Sequence, residues 1–400
     1  MLAVCTAALF GGYALKAQCL KGFDGRQYER LCYNDIQPLY GLRGVEAGTF
    51  PYVDGSLVKE PLELRDGAIE YPVLTGVFMW ASGQPVSDAN AYLRVSTLLL
   101  APFGLVTAYL LVQMRSRRAL LWAAAPAIVL YAFHNWDLLV VAAAVGGFWA
   151  WQRQRYGWAA VLFGIGAALK MYPVLFLAPL ALERWMAGDR KGAIQSLGFG
   201  LGVLALINLP FALANYDGWF ATYDFHRLRG PNFDNIWALP RFGLESLPAD
   251  ELNTRTAFLT AAFSLIALGF GWLRGKAVGA YPFVQVSAAL LVAFLLWNKV
   301  HSPQYTLWLL PFFVLVPLRA PWAVGWWAAY SVVDLLVYVG VFRYFYDFSY
   351  RGLTGETFAR GTMVFGVWTR AALLLALFLV FLFARSEGRS GPSRNREQGA

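Results

Sequence analysis

Apolar residues run along this chain in long blocks, separated by short polar or aromatic stretches. Blocks near 1–20, 90–114, 119–133, 138–152, 157–169, 172–185, 192–213, 256–274, 278–298, 303–318, 321–341 and 361–384 predict about 12 helices apolar all round, as membrane spans are. They are too long and continuous for the strands of a closed barrel, the other structure a bilayer accepts. Several are short of a full crossing and come in pairs, joined at HNWD (134–137), KMYP (170–173) and HSPQY (301–305). Each pair predicts a hairpin whose turn dips into the membrane or its interface. Residues 71–82 (YPVLTGVFMWAS) are apolar but short, which predicts a re-entrant or interfacial helix. The expectation is an all-α polytopic membrane protein with one domain over 1–385, a long first loop at 21–89 and a disordered tail at 386–400.

Charge sets the sidedness. Arg115, Arg117 and Arg118, then Arg153 and Arg155, then Arg184, Arg190 and Lys191, then Arg274 and Lys276, then Arg319 and the tail arginines fall in alternate loops, which places those loops in the cytoplasm. Loops 21–89, 214–255 and 342–360, with the three turns, then lie outside. Counting 71–82 as a span would invert every later loop and break this rule. Residues 1–20 also fit a cleaved signal peptide, except that the basic n-region is missing. Composition agrees: 58% of the 400 residues are hydrophobic and 14% charged, where a soluble domain carries about 25% charge. The basic balance does not indicate nucleic acid, because the cations are scattered through short loops. Three cysteines make no disulfide framework; a Cys19–Cys32 bridge is open to the chain if Cys32 faces an oxidising compartment.

Against that oily background the polar outer residues stand out. Most acids of the first loop read as solvated, but Asp35 (in YNDI), Asp54 (in PYVD) and Glu70 (in IEYPVLTG) sit among aromatic and apolar neighbours. Partial desolvation there would raise basicity and suit a general base. Asn135 and Asp137 lie between two apolar halves, where an ionisable group is costly; either could equally cap the helix after it. Lys170 ends an apolar helix and could meet an anion, snorkel or pair with Asp137. Arg227, Arg229 and Asn235 fall in or beside RGPNFDNIW, where the two arginines also read as plain loop charges, and Lys299, His301 and Gln304 cluster in WNKVHSPQY, which also suits an interfacial anchor. Acids to activate a hydroxyl and bases to hold a phosphate thus converge on one side. No Gly-rich nucleotide cradle or His/Cys metal cluster is visible, so no nucleotide-sugar donor, cofactor or metal is expected, and a lipid-phosphate donor fits the setting better.

The motifs CYNDIQPLYGLRG, PYVD, EYPVLTGVFMW, NWDLL, GIGAALKMYPVLFLAPL and NKVHSPQYTLWLLP resemble, in order and context over roughly 1–385, the actinobacterial branch of GT-C glycosyltransferases, glycosyltransferase family 87. The resemblance implies a GT-C-type bundle with an outer cavity. It implies a polyprenyl-phosphate sugar donor, commonly mannose, and inverting transfer outside the plasma membrane to a glycolipid or glycan. The family's first-loop aspartate base maps onto Asp35. Two other classes share the same helices. A transporter or flippase of lipid-linked sugars would place polar residues at mid-membrane, whereas here they gather at outer helix ends. An accessory envelope subunit would have no reason to keep acids and bases in one cavity.

Overall fold

The computed structural model describes residues 1–239, 247–353 and 357–385. Apolar helix α1 (Leu2–Ala17) leads into the first loop, which carries α2 (Arg26–Glu29), α3 (Ile36–Leu42), a hairpin of β1 (Ser56–Lys59) and β2 (Leu62–Arg65), and α4 (Val73–Gly83). There follow α5 (Ala89–Arg115), α6 (Leu120–Ala123), α7 (Pro126–Tyr131), α8 (Asp137–Gln152), α9 (Tyr156–Leu169), a 3-10 turn at Tyr172–Phe176, and α10 (Leu177–Met186). After α11 (Arg190–Ala214) comes the shorter helix α12 (Tyr216–Leu228). The chain closes with α13 (Ala249–Val278), α14 (Phe283–Trp297), α15 (Thr306–Leu315), α16 (Ala320–Arg351) and α17 (Phe358–Phe383).

Among the described residues five helices, α5, α11, α13, α16 and α17, are long and apolar enough to cross a membrane, and α1, α4, α8, α9 and α14 are shorter apolar helices. The chain is an all-α multi-pass membrane protein with one small antiparallel hairpin. Burial separates two kinds of apolar helix that look alike in sequence. Only 11% and 17% of the most apolar windows of α11 and α13 are buried, so their side chains face lipid. In α15 every residue is buried, and in α14 all but Phe294 and Trp297. These helices form the core, where an apolar surface all round finds protein on every side. α8 packs on α9, α9 on α11, and α14 and α16 on α17. Small residues allow the α9–α11 approach: a Cβ at Gly164 would lie 2.3 Å from the Gly200 carbonyl oxygen.

Two expectations need correction. The block 119–133 is two short helices, because Pro126 lacks an N–H and drives Ala125 into extended backbone. The loop expected at 342–360 is mostly helix. α16 continues to Arg351, its Phe345 ring packing tilted against Tyr28 and edge-on against Phe233, with an Arg351–Asp347 pair in its last turn. The first loop carries structure of its own: β1 pairs with β2 from Ser56–Arg65 to Lys59–Leu62, and Cys19 is bonded to Cys32. The tail expected to be disordered, 386–400, lies outside the described residues.

The first loop, the turns at 134–137, 170–173 and 301–305, and α12 meet at one end of the bundle, as the contacts below show. At the other end Arg118 donates to the carbonyls of Val316 and Leu318, and Arg274 to that of Leu382. Side-chain cations there donate to carbonyls at and just beyond helix ends, where intrahelical partners run out.

Candidate active site

Asp35 stands where α3 begins, yet its side chain does not cap the helix. Asn34 does that work: its Oδ1 accepts from the Gln37 N–H (3.0 Å) and its Nδ2 donates to Gln37 Oε1 (2.8 Å). Gln37 donates onward to Asn90 (2.9 Å) and to the Cys19 carbonyl (3.3 Å). Both amides are buried and spent on this turn, leaving the Asp35 carboxylate for something else. The Asp35 N–H donates to the His134 carbonyl at 2.8 Å, which locks the first loop to the α7–α8 turn.

Asp35 lines a cavity of about 460 Å³. Asn135 Nδ2 donates to its Oδ2 at 2.9 Å and to the Tyr71 hydroxyl at 2.6 Å. Asn135 Oδ1 accepts from the Trp136 N–H (2.6 Å) and from Lys170 Nζ (3.3 Å), so the orientation of the amide is fixed by four contacts. Lys170 Nζ pairs with Asp137 Oδ2 at 2.9 Å, and Asp137 Oδ1 accepts from Trp308 Nε1 at 2.6 Å. Asp137 therefore opens α8 as a buried counterion, and not as a cap. Among the described residues Asp35 has no ion-pair partner. Burial pushes its carboxyl above the usual range and the Glu70 charge adds to this; the Asn135 and Tyr33 hydrogen bonds and the Lys170 charge act the other way.

A second compartment of about 260 Å³ adjoins the first, and the two share Glu70, Tyr71, Lys170, His226, Val300 and Tyr305 as walls. Tyr172, Tyr223, Phe294 and Trp308 add four aromatic rings to its own walls. Lys170 Nζ lies 4.9 Å from the centre of the Tyr71 ring and 5.7 Å from those of Tyr305 and Trp308, so aromatic faces surround the cation at the divide. Glu70 differs from Asp35 in being compensated: Arg43 grips it through Nε (2.6 Å) and Nη2 (3.2 Å). Lys299 lines the second compartment, with Nζ donating to the carbonyls of Arg227 (2.9 Å) and Arg229 (2.8 Å). Burial, then the Arg229 and Arg227 charges, lowers its amine to about 8. His226 Nε2 donates to the Glu70 carbonyl (2.7 Å), and burial drops this imidazole to about 4, so it is neutral at pH 7.

Of the residues singled out in the sequence, the fold thus brings Asp35, Glu70, Asn135, Asp137, Lys170, Arg229, Lys299 and Gln304 to these compartments or directly behind their walls. Others it sends elsewhere. Asp54, expected to be part-desolvated, is exposed and off both cavities, because PYVD turns it outward while Tyr52 fills the core. Arg227 points to solvent and pairs with Asp224 at 2.8 Å. Asn235 caps a short 3-10 turn and holds the Asn298 carbonyl (2.7 Å), so it is a brace. His301 turns away: its Nδ1 donates to the Leu295 carbonyl (3.1 Å), and its ring faces a 10 Å³ pocket beside Asp234 and Arg370.

Tyr71, His226, Tyr305, Arg43, His134 and Lys16 were not singled out. Lys16 could have been, as a lysine within an apolar block, and His134 as the neighbour of Asn135. The tyrosines carried no signal among so many aromatics.

A model of glycosyltransferase family 87 matches residues 70–303, from Glu70 through the 134–137 and 170–173 turns to the 301–305 turn, with Asp35 lying before the matched segment. GPI mannosyltransferase 1 of Saccharomyces cerevisiae is 26% identical over 188 residues, 44% of this chain and 45% of that relative. The chain thus spans less than half the length of this curated relative.

Proposed function

This chain belongs to glycosyltransferase family 87, and on that premise we propose that it moves a sugar, mannose in the first instance, from a polyprenyl-phosphate donor to a hydroxyl of a glycolipid or glycan. The reaction takes place at the extracytoplasmic face of the plasma membrane and inverts the anomeric centre. The observation that carries this reading is an unpaired, part-buried carboxylate, Asp35, held by Asn135 in the wall of a cavity that adjoins an aromatic compartment across Lys170.

Asp35 takes the proton of the acceptor hydroxyl as that oxygen attacks the anomeric carbon from the face opposite the phosphate. One carboxylate suffices for a single displacement, since no glycosyl-enzyme forms. Glu70 is unsuited to the same task because Arg43 already compensates its charge; it is placed to accept hydrogen bonds from sugar hydroxyls at the divide. The polyprenyl phosphate departs with the bonding electron pair. Lys170, Arg229 and Lys299 supply positive charge around the divide for it, in a setting dry enough for that charge to count. Asn135 is a positioning residue for Asp35 here, and not a substrate ligand as first expected. The polyprenyl tail runs from the aromatic compartment between helices. Mannose is the choice that the yeast relative's name supports.

The test is sugar transfer from a radiolabelled polyprenyl-phosphate mannose by the purified protein in nanodiscs, with envelope glycolipids as acceptors. Product formation that is lost in Asp35→Asn supports the reading. Translocation of intact donor across the bilayer without sugar transfer would replace it with a flippase.

A further inference from the structure

Lys16 is the one lysine of α1, and it is fully buried at the foot of the Asp35 loop. Among the described residues its ammonium meets no carboxylate at ion-pair distance; three other groups hold it. Nζ lies 2.8 Å from the Tyr33 carbonyl, 3.2 Å from the Tyr338 hydroxyl and 3.3 Å from His134 Nδ1. The Tyr33 carbonyl can only accept. The Tyr338 hydroxyl gives its own proton to the Leu31 carbonyl (2.9 Å), so it too accepts from Lys16. The third N–H of the ammonium is then matched by His134 Nδ1. A neutral imidazole has one donor and one acceptor nitrogen, so while Lys16 carries its full set of protons this contact makes Nδ1 the acceptor and leaves the ring proton on Nε2. Burial, followed by the Lys16 and Lys170 charges, holds the ring well below its ordinary pKa, with the Tyr33 carbonyl acting the other way. Tyr33, Tyr131, Tyr338 and Phe342 surround the ring, and it also lines the larger cavity with Asp35.

We infer that His134 is a substrate-contact residue presenting a neutral Nε2–H to an oxygen of the acceptor sugar, and that Lys16 is its positioning residue, fixing that tautomer from behind. The acceptor is the partner because the His134 carbonyl receives the Asp35 N–H, so both residues share the wall at which the attacking hydroxyl sits. The two-layer arrangement has a physical reason. An ammonium placed directly in the cavity would ion-pair with Asp35 and lower its basicity. An imidazole interposed between them delivers a hydrogen-bond donor without setting a formal charge against the base. A neutral imidazole N–H also does not surrender its proton at pH 7, so it orients the sugar and leaves proton removal to Asp35. The acceptor assignment rests on the glycosyltransferase reading; the tautomer does not.

The chain has three histidines, so its imidazole spectrum is simple. The experiment is nitrogen NMR of the full-length protein labelled with ¹⁵N-histidine in nanodiscs, with His134 assigned by its loss in His134→Gln. The wild-type His134 is expected as the Nε2–H tautomer. Lys16→Met keeps the side-chain length and is expected to give a mixture with Nδ1–H. In kinetics, His134→Ala is expected to lose about tenfold in kcat/KM for the acceptor, the size of one neutral hydrogen bond, with the donor KM unchanged. His134→Gln, whose amide nitrogen reaches the Nε2 position, should recover most of that loss, and His134→Asn, which reaches only the Nδ1 position, should not. An Nδ1–H or doubly protonated His134 in the wild type overturns the inference, and so does a spectrum that Lys16→Met leaves unchanged or an equal loss in Gln and Asn. Because the spectrum is read without substrate, an Nδ1–H result overturns the inference even where sugar is transferred. An Nε2–H spectrum without any sugar transfer overturns the functional reading and the acceptor assignment with it.

Discussion

Removing the Lys170 ammonium isolates a carboxylate inside the bundle. Lys170 Nζ and Asp137 Oδ2 are 2.9 Å apart, with side chains 8% and 0% exposed. Two unit charges at that distance attract by about 6 kcal/mol at an effective dielectric of about 20, but both have paid desolvation to come together. Lys170→Met leaves Asp137 without a charged partner among the described residues, held by Trp308 Nε1 and its own backbone amide, and breaking a buried pair on one side costs about 3–5 kcal/mol. Asp137→Asn alone should cost a similar amount by leaving the ammonium unbalanced. The double variant Lys170→Met/Asp137→Asn has no net buried charge at the pair. It should recover most of the stability, giving a coupling of about 2 kcal/mol or more in a double-mutant cycle. Activity should behave differently: donor affinity should stay low in Lys170→Met and in the double variant, because neither places a cation at the divide. Unfolding is measured in detergent by tryptophan fluorescence, and donor KM in nanodiscs. A double variant no more stable than the singles would refute the charge-pair account. Unchanged donor KM in both Met variants would make Lys170 purely structural.

Asp35→Asn should lower sugar transfer by about 100-fold or more, as loss of a general base does, and its raised carboxyl pKa adds a stability signature. The folded state binds a proton more tightly than the unfolded chain, so Asp35 costs stability as pH rises from its ordinary value of about 3.9 through its folded value; Asp35→Asn should therefore melt higher than wild type at pH 7, and a lower melting point would reject this. By the same shift, kcat/KM should fall as pH drops through the raised value, with its acid limb above pH 4 or so; a flat profile down to pH 4 would exclude Asp35 as the base. Asp54→Asn, at an exposed position, should transfer sugar at close to the wild-type rate, whereas Arg43→Met should impair it by releasing Glu70 as a second uncompensated carboxylate beside the base; equal activity in the two would remove Glu70 from the site. Cys19→Ala/Cys32→Ala opens a link across 13 residues and should lose about 3 kcal/mol of stability with part of the activity, since Asp35 follows three residues after Cys32; identical melting curves would show that the bridge does not hold this loop.

The hydrophobic blocks carried the helices, because a chain dissolved in lipid must satisfy its backbone within each segment, and that leaves a mark in sequence wherever it happens. The same oily background made Asp35, Asp137 and Lys170 conspicuous, since a charge in such a setting has to be accounted for. What the pattern could not show is which turns meet. Asp35, Asn135 and Lys170 are joined by 2.9 and 3.3 Å contacts across more than a hundred residues of chain, and the packing of α3 on α5, α5 on α8 and α8 on α9 brings them there. Nor could it tell a lipid-facing helix such as α11 from the buried α15, because lipid and protein interior demand the same apolar side chains. Side-chain direction was decided at the same level. Asp54 and His301 sat in motifs as suggestive as those of Asp35 and Lys170, yet one backbone turn aims Asp54 at solvent and a carbonyl of Leu295 draws His301 into the core. Lys16 and His134 lie 118 residues apart and make a pair only once α1 stands beside α7. A sequence registers that a polar group is costly where it lies; the partner that offsets the cost is supplied by a distant segment, and that choice belongs to the tertiary fold.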